Sequence, residues 1–200
     1  MYGSLPVRRL CQTTGERQGL NGESLPPALA EAVNRYGRVD LLVNNAATNP
    51  YFGPTLGVTD SAFDKIFEVN VKGYLYAIRE YAARAAGGAV VNVASYAGIN
   101  AAPLMGPYGM SKAAVISMTR TLAVELAPVQ IRVNAVAPGY IDTDMTRNLP
   151  EEARQAFLTQ VSLKRPGTPA EVARVVTFLA SDMASYVSGD VLRIDGCMAI

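Results

Sequence analysis

A regular alternation between two kinds of segment is the feature that most constrains how this chain can fold. Stretches whose apolar residues recur at helical spacing are followed by short apolar runs. This order, with short connections, is typical of an α/β domain built on a parallel sheet, whose buried strands are apolar on both faces. The spacing predicts helices over 25–36, 60–86, 107–127, 150–163 and 169–180, and strands over 39–44, 89–95, 131–137 and 191–195.

Residues at the helix ends support these boundaries. Gly37 follows the first predicted helix, and Pro107 lies in the first turn of the third, where a missing N–H is tolerated. Thr168 and Glu171 have the spacing of a capping box at the start of the last helix. The predicted elements are therefore bounded by independent signals.

The predicted parallel sheet places the carboxyl ends of its strands along one edge, because the crossovers are right-handed. Ligands of such sheets bind beyond that edge. The residues at or just after the strand ends include Asn44, Ser95 and Pro138. We therefore expect the chemistry of this chain to lie there.

Tyr108 and Lys112 open the helix that follows the second predicted strand, at a spacing that places both on one helix face. A nearby ammonium and a helix N-terminus both favour a phenolate, and a tyrosine so placed can exchange a proton with an alcohol or carbonyl oxygen. Ser95 ends the preceding strand, and its hydroxyl could hold the same oxygen. By itself the Tyr-x-x-x-Lys pattern is common in helices, so these three residues need further support.

That support is an ordered series of motifs across residues 25–196. It consists of Asn44-Asn45-Ala46-Ala47, Asn70, Ser95, Tyr108, Lys112 and the blocks at 131–143, 165–173, 178–189 and 191–196. The series resembles the classical short-chain dehydrogenase/reductase family. The resemblance implies a Rossmann-like doubly wound parallel sheet. It also implies an oxidoreductase that uses NAD or NADP to interconvert an alcohol and a ketone or aldehyde by hydride transfer.

The resemblance also implies a role for each catalytic residue. Tyr108 would be the general acid/base, and Ser95 would orient the substrate oxygen. Lys112 would bind the nicotinamide ribose and lower the pKa of Tyr108. Asn70 would hold a water molecule that relays protons from Lys112.

The implied dinucleotide site is wider than the catalytic residues. Besides Tyr108 and Lys112, it would include Asn44 and Ala46 on the adenosine-ribose side. The nicotinamide and pyrophosphate would be covered by Pro138, Gly139, Ile141 and Thr143. A small lid at about 143–165 would set the choice of substrate.

The N-terminal region departs from the family pattern, which begins with a strand, a glycine-rich turn, a helix and two further strands. A βαβ unit needs about thirty residues, more than precede Ser24. We therefore expect residues 1–23 to be an irregular leader before a single domain at 24–200. The first strands would then be missing, and 39–44 would be an exposed sheet edge. Thr14 to Gly19 echo the glycine-rich turn, and we interpret the echo as chance.

Two alternatives remain open on the sequence. One is a catalytically inactive fragment that binds dinucleotide weakly and survives at most as an interaction partner. The other is an epimerase or dehydratase of the extended relatives, disfavoured because the blocks at 165–196 match the classical type. The sequence does not identify the substrate, the direction of the reaction or the choice between NAD and NADP.

Composition excludes several other classes of function. The net charge of +1 gives no electrostatic footprint for nucleic acid, and no apolar run is long enough to cross a membrane. The absence of histidine excludes Ser-His dyads and His-based zinc sites, so no metal is expected. The two cysteines suit reduced thiols in the cytoplasm. Apolar residues on more than one face of helices 60–86 and 107–127 favour a homodimer or homotetramer.

Overall fold

The computed structural model describes residues 10–13, 27–149 and 151–198. Their helices and strands, in chain order, are β1 (Leu10–Thr13), α1 (Pro27–Tyr36), β2 (Leu41–Asn44), α2 (Asp60–Phe67), α3 (Gly73–Ala82), β3 (Gly88–Val93), α4 (Gly106–Glu125), β4 (Ile131–Pro138), α5 (Asp144–Arg147), α6 (Glu151–Gln160), α7 (Pro169–Ala180) and β5 (Val191–Ile194). The predicted alternation of helices and strands is confirmed.

The strands form one parallel sheet in the order β1-β2-β3-β4-β5. One face of the central strands packs against α1, α3 and α4. On this face, Leu42, Val90 and Val133 form one hydrophobic cluster with residues of the three helices. Residues on the other face, among them Val43 and Val91, pack against α7. Alternate residues of each strand are thus covered on opposite sides, which gives the predicted doubly wound α/β fold.

The region before the first predicted helix differs from the prediction. Leu10–Thr13 form a strand that pairs in parallel with Leu41–Asn44. The expectation of an irregular segment at 1–23 is wrong for these four residues, and 41–44 is not a sheet edge. The length of about thirty residues applies to a complete βαβ unit, whereas a single short strand needs far fewer residues. The echo at 14–19 lies outside the described residues.

The long helix predicted at 60–86 ends at Ala82 and is interrupted in its middle. A π-helical turn at Glu68–Lys72 separates α2 from α3 and contains the buried Asn70. An extra residue in a turn is common where a helix carries a functional side chain. The interruption therefore points to the part of the helix that faces the candidate site.

The remaining helices follow the prediction with adjusted ends. The Thr168–Glu171 capping box is present at the start of α7. The stretch predicted as one helix at 150–163 is α6, which ends at Gln160 and is preceded by the short α5. In the part of the chain that the structure describes, no helix is both long and apolar enough to cross a bilayer.

Candidate active site

The candidate site lies where β3 and β4 end side by side. Val93 is the register partner of Val136, so Ser95 and Pro138 each follow this pair by two residues. The backbone N–H of Ala94 still donates to the Val136 carbonyl at 2.8 Å. The predicted meeting of Ser95 with Pro138 at the carboxyl edge is therefore what the register produces.

The structure brings Ser95 and Tyr108 into contact, because their side chains share a hydrogen bond. Ser95 also caps the short turn Tyr96–Gly98, where its Oγ accepts from the N–H of Ala97 at 3.2 Å. Tyr108 lies in the first turn of α4. The site thus pairs the end of a strand with the start of the following helix.

Two glycines, which the sequence reasoning missed, make this contact possible. A Cβ on Gly98 would lie 2.6 Å from the backbone carbon of Lys112, and one on Gly109 would lie 2.7 Å from the carbonyl oxygen of Ala97. Real Cβ atoms do not approach backbone atoms so closely. The absence of these two side chains lets the Tyr96–Gly98 turn lie directly against α4.

Lys112 is buried, with 1% of its surface exposed. Its Nζ donates to the carbonyl oxygen of Val93 at 2.8 Å and lies 5.6 Å from the ring centroid of Tyr108. The predicted placement of Tyr108 and Lys112 on one helix face is confirmed by this distance. Burial disfavours the charged amine and lowers the pKa of Lys112 to about 7.

The pKa of Tyr108 shifts in the opposite direction to the one expected from the resemblance. Burial raises it above the ordinary tyrosine value, and the hydrogen bond with Ser95 opposes this only in part. The physical reason is the low dielectric around the phenol, together with a lysine that burial itself tends to neutralise. The phenol of Tyr108 is therefore held in its protonated, proton-donating form.

Asn70 links two parts of the site through a side chain that is fully buried. Its Oδ1 accepts from the N–H of Thr48 at 2.8 Å, and its Nδ2 donates to the Thr48 carbonyl and to Ser111 Oγ. Ser111 in turn donates to the carbonyl oxygen of Tyr108 at 2.7 Å. Asn70 thereby ties the loop after β2 to the first turns of α4. Its predicted role in a water relay stays a prediction.

The side chain of Asn44 points into the core, and the predicted place of this residue on the adenosine-ribose side of a dinucleotide stays a prediction. The side chain is fully buried, and its Nδ2 donates to Asn92 Oδ1 at 2.9 Å. Asn92 then donates to Thr119 Oγ1 at 2.9 Å, and Thr119 donates to the Val115 carbonyl. Asn44 therefore starts a buried polar chain that joins β2, β3 and α4. Buried amides and hydroxyls are usually hydrogen-bonded in this way, although the Oδ1 of Asn44 is buried without a hydrogen-bond partner among the described residues.

The other predicted cofactor residues border the same edge. Ala46 is half-buried in the loop after β2. Gly139 lies so close to the residue after β5 that an added Cβ would be 2.6 Å from the Cβ of Asp195. Ile141 is buried and bridges to Gly167. Thr143 caps α5. These residues shape a wall beside the site, and their contact with a dinucleotide stays a prediction.

The charged residues of the segment after β4 behave as solvated surface groups. Asp142 and Asp144 both pair with Arg147, and hydrogen bonding to this guanidinium lowers the pKa of Asp142. Tyr140 stacks on Phe157 of α6 with ring centroids 5.6 Å apart. The segment is thus held over the end of β4 by a ring contact and a backbone bridge.

The donor groups at the site fit a bound dinucleotide. A lysine ammonium has three N–H bonds, and the described residues accept one of them, through Val93. The other two are available to the vicinal hydroxyls of a ribose. Among the described residues, no group of three or more His, Cys, Asp and Glu side chains could hold a metal ion.

Comparison with known proteins gives the family. The family model described as Enoyl-(Acyl carrier protein) reductase matches residues 21–199. The 3-oxoacyl-[acyl-carrier-protein] reductase FabG of Thermotoga maritima is 40% identical over 213 residues, covering 99% of this chain and 86% of the relative. Dehydrogenase/reductase SDR family member 4 of Homo sapiens is 39% identical over 173 residues, covering 84% of this chain and 62% of the relative.

Solved structures agree with these relatives. A short-chain type dehydrogenase/reductase from Mycobacterium ulcerans superposes with a TM-score of 0.82 at 31% identity, covering 85% of this chain and 64% of that one. Levodione reductase superposes with a TM-score of 0.81 at 35% identity, covering 85% of this chain and 70% of that one. The chain belongs to the short-chain dehydrogenase/reductase family, whose members are oxidoreductases that use NAD or NADP.

Proposed function

We propose that this protein reduces a carbonyl compound to an alcohol with NADH or NADPH, using Ser95, Tyr108 and Lys112. The observation that carries the proposal is the hydrogen bond between Ser95 and Tyr108 at the carboxyl edge of the sheet. Lys112 lies one helical turn beyond Tyr108, with its ammonium 5.6 Å from the phenol ring. The two hydroxyls can bind one carbonyl oxygen between them.

The proposed mechanism assigns each residue a task. The reduced nicotinamide, when bound, supplies the hydride to the carbonyl carbon. Ser95 donates a hydrogen bond that orients the carbonyl oxygen. Tyr108 gives its phenolic proton to that oxygen as negative charge develops, and a raised pKa keeps the proton in place until then. Lys112 holds the ribose through its two remaining N–H bonds.

The substrate class is proposed from the relatives. The Thermotoga maritima relative is named for reduction of 3-oxoacyl groups on acyl carrier protein, and it matches almost the whole of this chain. A 3-oxoacyl thioester is therefore the first substrate to test. The segment at 143–165 is proposed to set the choice of substrate, because it begins directly after the wall formed by Gly139 and Ile141.

Replacing Tyr108 by Phe tests the proposal. We expect kcat for oxidation of the reduced dinucleotide, with a 3-oxoacyl thioester as acceptor, to fall by at least ~10²-fold, the scale of lost general acid catalysis. Tyr186→Phe is the matched control, because Tyr186 is fully exposed on the surface. If Tyr108→Phe keeps kcat within a few-fold of the parent, Tyr108 is not the proton donor.

Titration of reduced dinucleotide, followed by fluorescence, separates this function from an inactive fragment. Saturable binding that is weakened by Lys112→Met would support the proposed enzyme. Absence of saturable binding would favour a chain that survives only as an interaction partner. Binding that Lys112→Met leaves unchanged would show that the lysine does not hold the ribose.

We also propose that the protein assembles into a dimer or tetramer through α4. One face of this helix is exposed in the described chain and carries small or apolar side chains at helical spacing, namely Met110, Ala113, Ser117, Thr121 and Val124. A stripe of this kind allows two helices to approach closely. A two-fold axis would place the same stripe of a second copy against it.

A further inference from the structure

Tyr74 lies behind the proposed catalytic residues and has no part in the mechanism above. It is the second residue of α3, directly after the π-helical turn, and only 1% of its surface is exposed. Its hydroxyl donates to the carbonyl oxygen of Val93 at 3.2 Å. Lys112 donates to that same oxygen at 2.8 Å. The Val93 carbonyl oxygen thus accepts a hydrogen bond from each of the two side chains.

The Val93 carbonyl can accept both hydrogen bonds because β2 ends before it reaches Val93. The ladder between β2 and β3 ends with the pair Asn44 and Asn92, and the next residue along β3 is Val93. The following residue, Ala94, already bonds to β4. The Val93 carbonyl therefore lies beyond the β2 ladder. A carbonyl oxygen has two lone pairs, so it can accept from both donors.

The rings of two tyrosines also flank the lysine ammonium. Lys112 Nζ lies 5.3 Å from the ring centroid of Tyr74 and 5.6 Å from that of Tyr108. Both distances are within the range of an attractive cation–π interaction, which is strongest where water is excluded. Among the described residues, these phenols are the titratable groups in contact with the ammonium.

We propose that Tyr74 is a positioning residue for the reaction, which holds the ammonium of Lys112 between its own ring and the Val93 carbonyl. The proposal rests on the function proposed above for Lys112. A purely structural role for Tyr74 would need its ring for packing but would leave the protonation of Lys112 unaffected. The two roles therefore differ in a quantity that can be measured.

The ring and the hydroxyl of Tyr74 act on Lys112 in opposite directions. The ring face attracts the ammonium and raises the pKa of the lysine. The hydroxyl competes with the ammonium for the Val93 carbonyl and lowers that pKa. Tyr74→Leu removes both, and Tyr74→Phe removes only the competing hydroxyl.

The experiment measures the protonation of Lys112 directly in the full chain without dinucleotide. The sequence contains four lysines, so a protein labelled with ¹³C at lysine Cε gives few NMR signals, and Lys112→Met identifies the one in question. We expect Tyr74→Leu to lower the protonation constant of Lys112 about tenfold, or one pKa unit. We expect Tyr74→Phe to raise the pKa of Lys112, because the lysine is then the only one of the two side chains that donates to the Val93 carbonyl.

Tyr81 offers matched controls on the same helix. It is equally buried, and its hydroxyl donates to the carbonyl of Asp40 at 2.9 Å, at the opposite end of the sheet. Tyr81→Phe and Tyr81→Leu should leave the Lys112 titration unchanged. Equal titration of Lys112 in Tyr74→Phe and Tyr74→Leu would overturn the proposal, because these variants differ in the ring; if Tyr74→Leu fails to fold, Tyr74→Met is used in its place. An equal shift in Tyr81→Leu would overturn it as well.

A second readout connects the proposal to the reaction. If Lys112 works as an ammonium, the alkaline limb of kcat/KM in Tyr74→Leu moves to lower pH by the same amount as the NMR titration. A shifted titration with an unshifted limb would leave Tyr74 coupled to Lys112 but would remove Lys112 from the proposed mechanism. Failure of the positioning role and failure of the proposed function are thus distinguishable.

Discussion

Burial of Lys112 predicts that the proposed active site destabilises the fold. The ammonium is taken out of water and receives one hydrogen bond acceptor and two ring faces in return. We expect Lys112→Met to raise the free energy of unfolding near neutral pH. Methionine matches the length of the lysine stem and needs no hydrogen bonds. The Val93 carbonyl remains satisfied after the substitution, because the hydroxyl of Tyr74 still donates to it.

The size of this effect follows from the pKa of Lys112. Burial lowers it from 10.5 to about 7 in the folded chain. Each pKa unit corresponds to about 1.4 kcal/mol, so the charged lysine costs up to about 5 kcal/mol of stability. This is a large part of the total stability of a typical domain, about 5–15 kcal/mol. The gain in Lys112→Met should therefore be several kcal/mol.

The lowered pKa of Lys112 also determines how the stability of the fold changes with pH. Below about pH 7 the lysine is protonated in both the folded and the unfolded chain, and the full cost is present. Above that pH the folded chain has released its proton while the unfolded chain still holds one. The stability of the parent therefore rises with pH, by up to about 1.4 kcal/mol per unit, until the unfolded lysine titrates. The advantage of Lys112→Met is greatest below about pH 7 and shrinks as the solution becomes alkaline.

Urea unfolding measures this difference. Both proteins are compared near pH 6.5, 8 and 9.5 at one protein concentration and without dinucleotide, by circular dichroism. The same substitution at Lys65, an exposed lysine of α2, is the control for the loss of a lysine. Parallel stability curves for the parent and Lys112→Met across this range would refute the reasoning. They would mean that the folded chain does not depress the pKa of Lys112.

Three further predictions concern the framework of the site. Gly98→Ala should disrupt activity and lower the melting temperature, because the added Cβ would meet the Lys112 backbone at 2.6 Å; an unchanged melting temperature would contradict the close approach. Asn92→Ala should cost about 1–3 kcal/mol in urea unfolding, because it leaves the buried Nδ2 of Asn44 without its acceptor, while Thr119 keeps its hydrogen bond to the Val115 carbonyl. Light scattering at micromolar concentration should give a dimer or tetramer, and a monodisperse monomer would exclude the proposed α4 interface.

The order of helices and strands was accessible from the sequence because it depends on local patterns. Apolar runs, glycines and a capping box such as Thr168–Glu171 act within a few residues of each other. The strand at 10–13 was missed because its pairing with β2 is a contact between distant parts of the chain. A segment of four residues, Leu10–Thr13, is too short to show a clear pattern of its own. The strand becomes recognisable only in the folded chain, where Leu10–Thr13 lie beside β2 and pair with it.

The identity of the central site residues was also accessible, whereas their surroundings were not. The spacing of Tyr108 and Lys112 fixes their shared helix face, and the register brings Ser95 to them. The direction of the Asn44 side chain could not be read in the same way, since the last residue of a strand can face a ligand or the core. Its cross-strand partner Asn92 was the one available signal, because two asparagines in neighbouring strands can satisfy each other.

The pKa values of Tyr108 and Lys112 are the property of the site that a sequence motif determines least. A pattern of residue types specifies which charges come together but not how much water surrounds them, and burial is what moves the pKa of both Tyr108 and Lys112. The signal for Tyr74 was present in its spacing of four residues from Asn70, which places both on one side of the helix. That spacing alone could not show that the ring would lie against the lysine ammonium. The electrostatic balance of the site is therefore a property of the packing between α3, α4 and the end of β3, and substitutions in that packing should change its pH dependence without touching a motif residue.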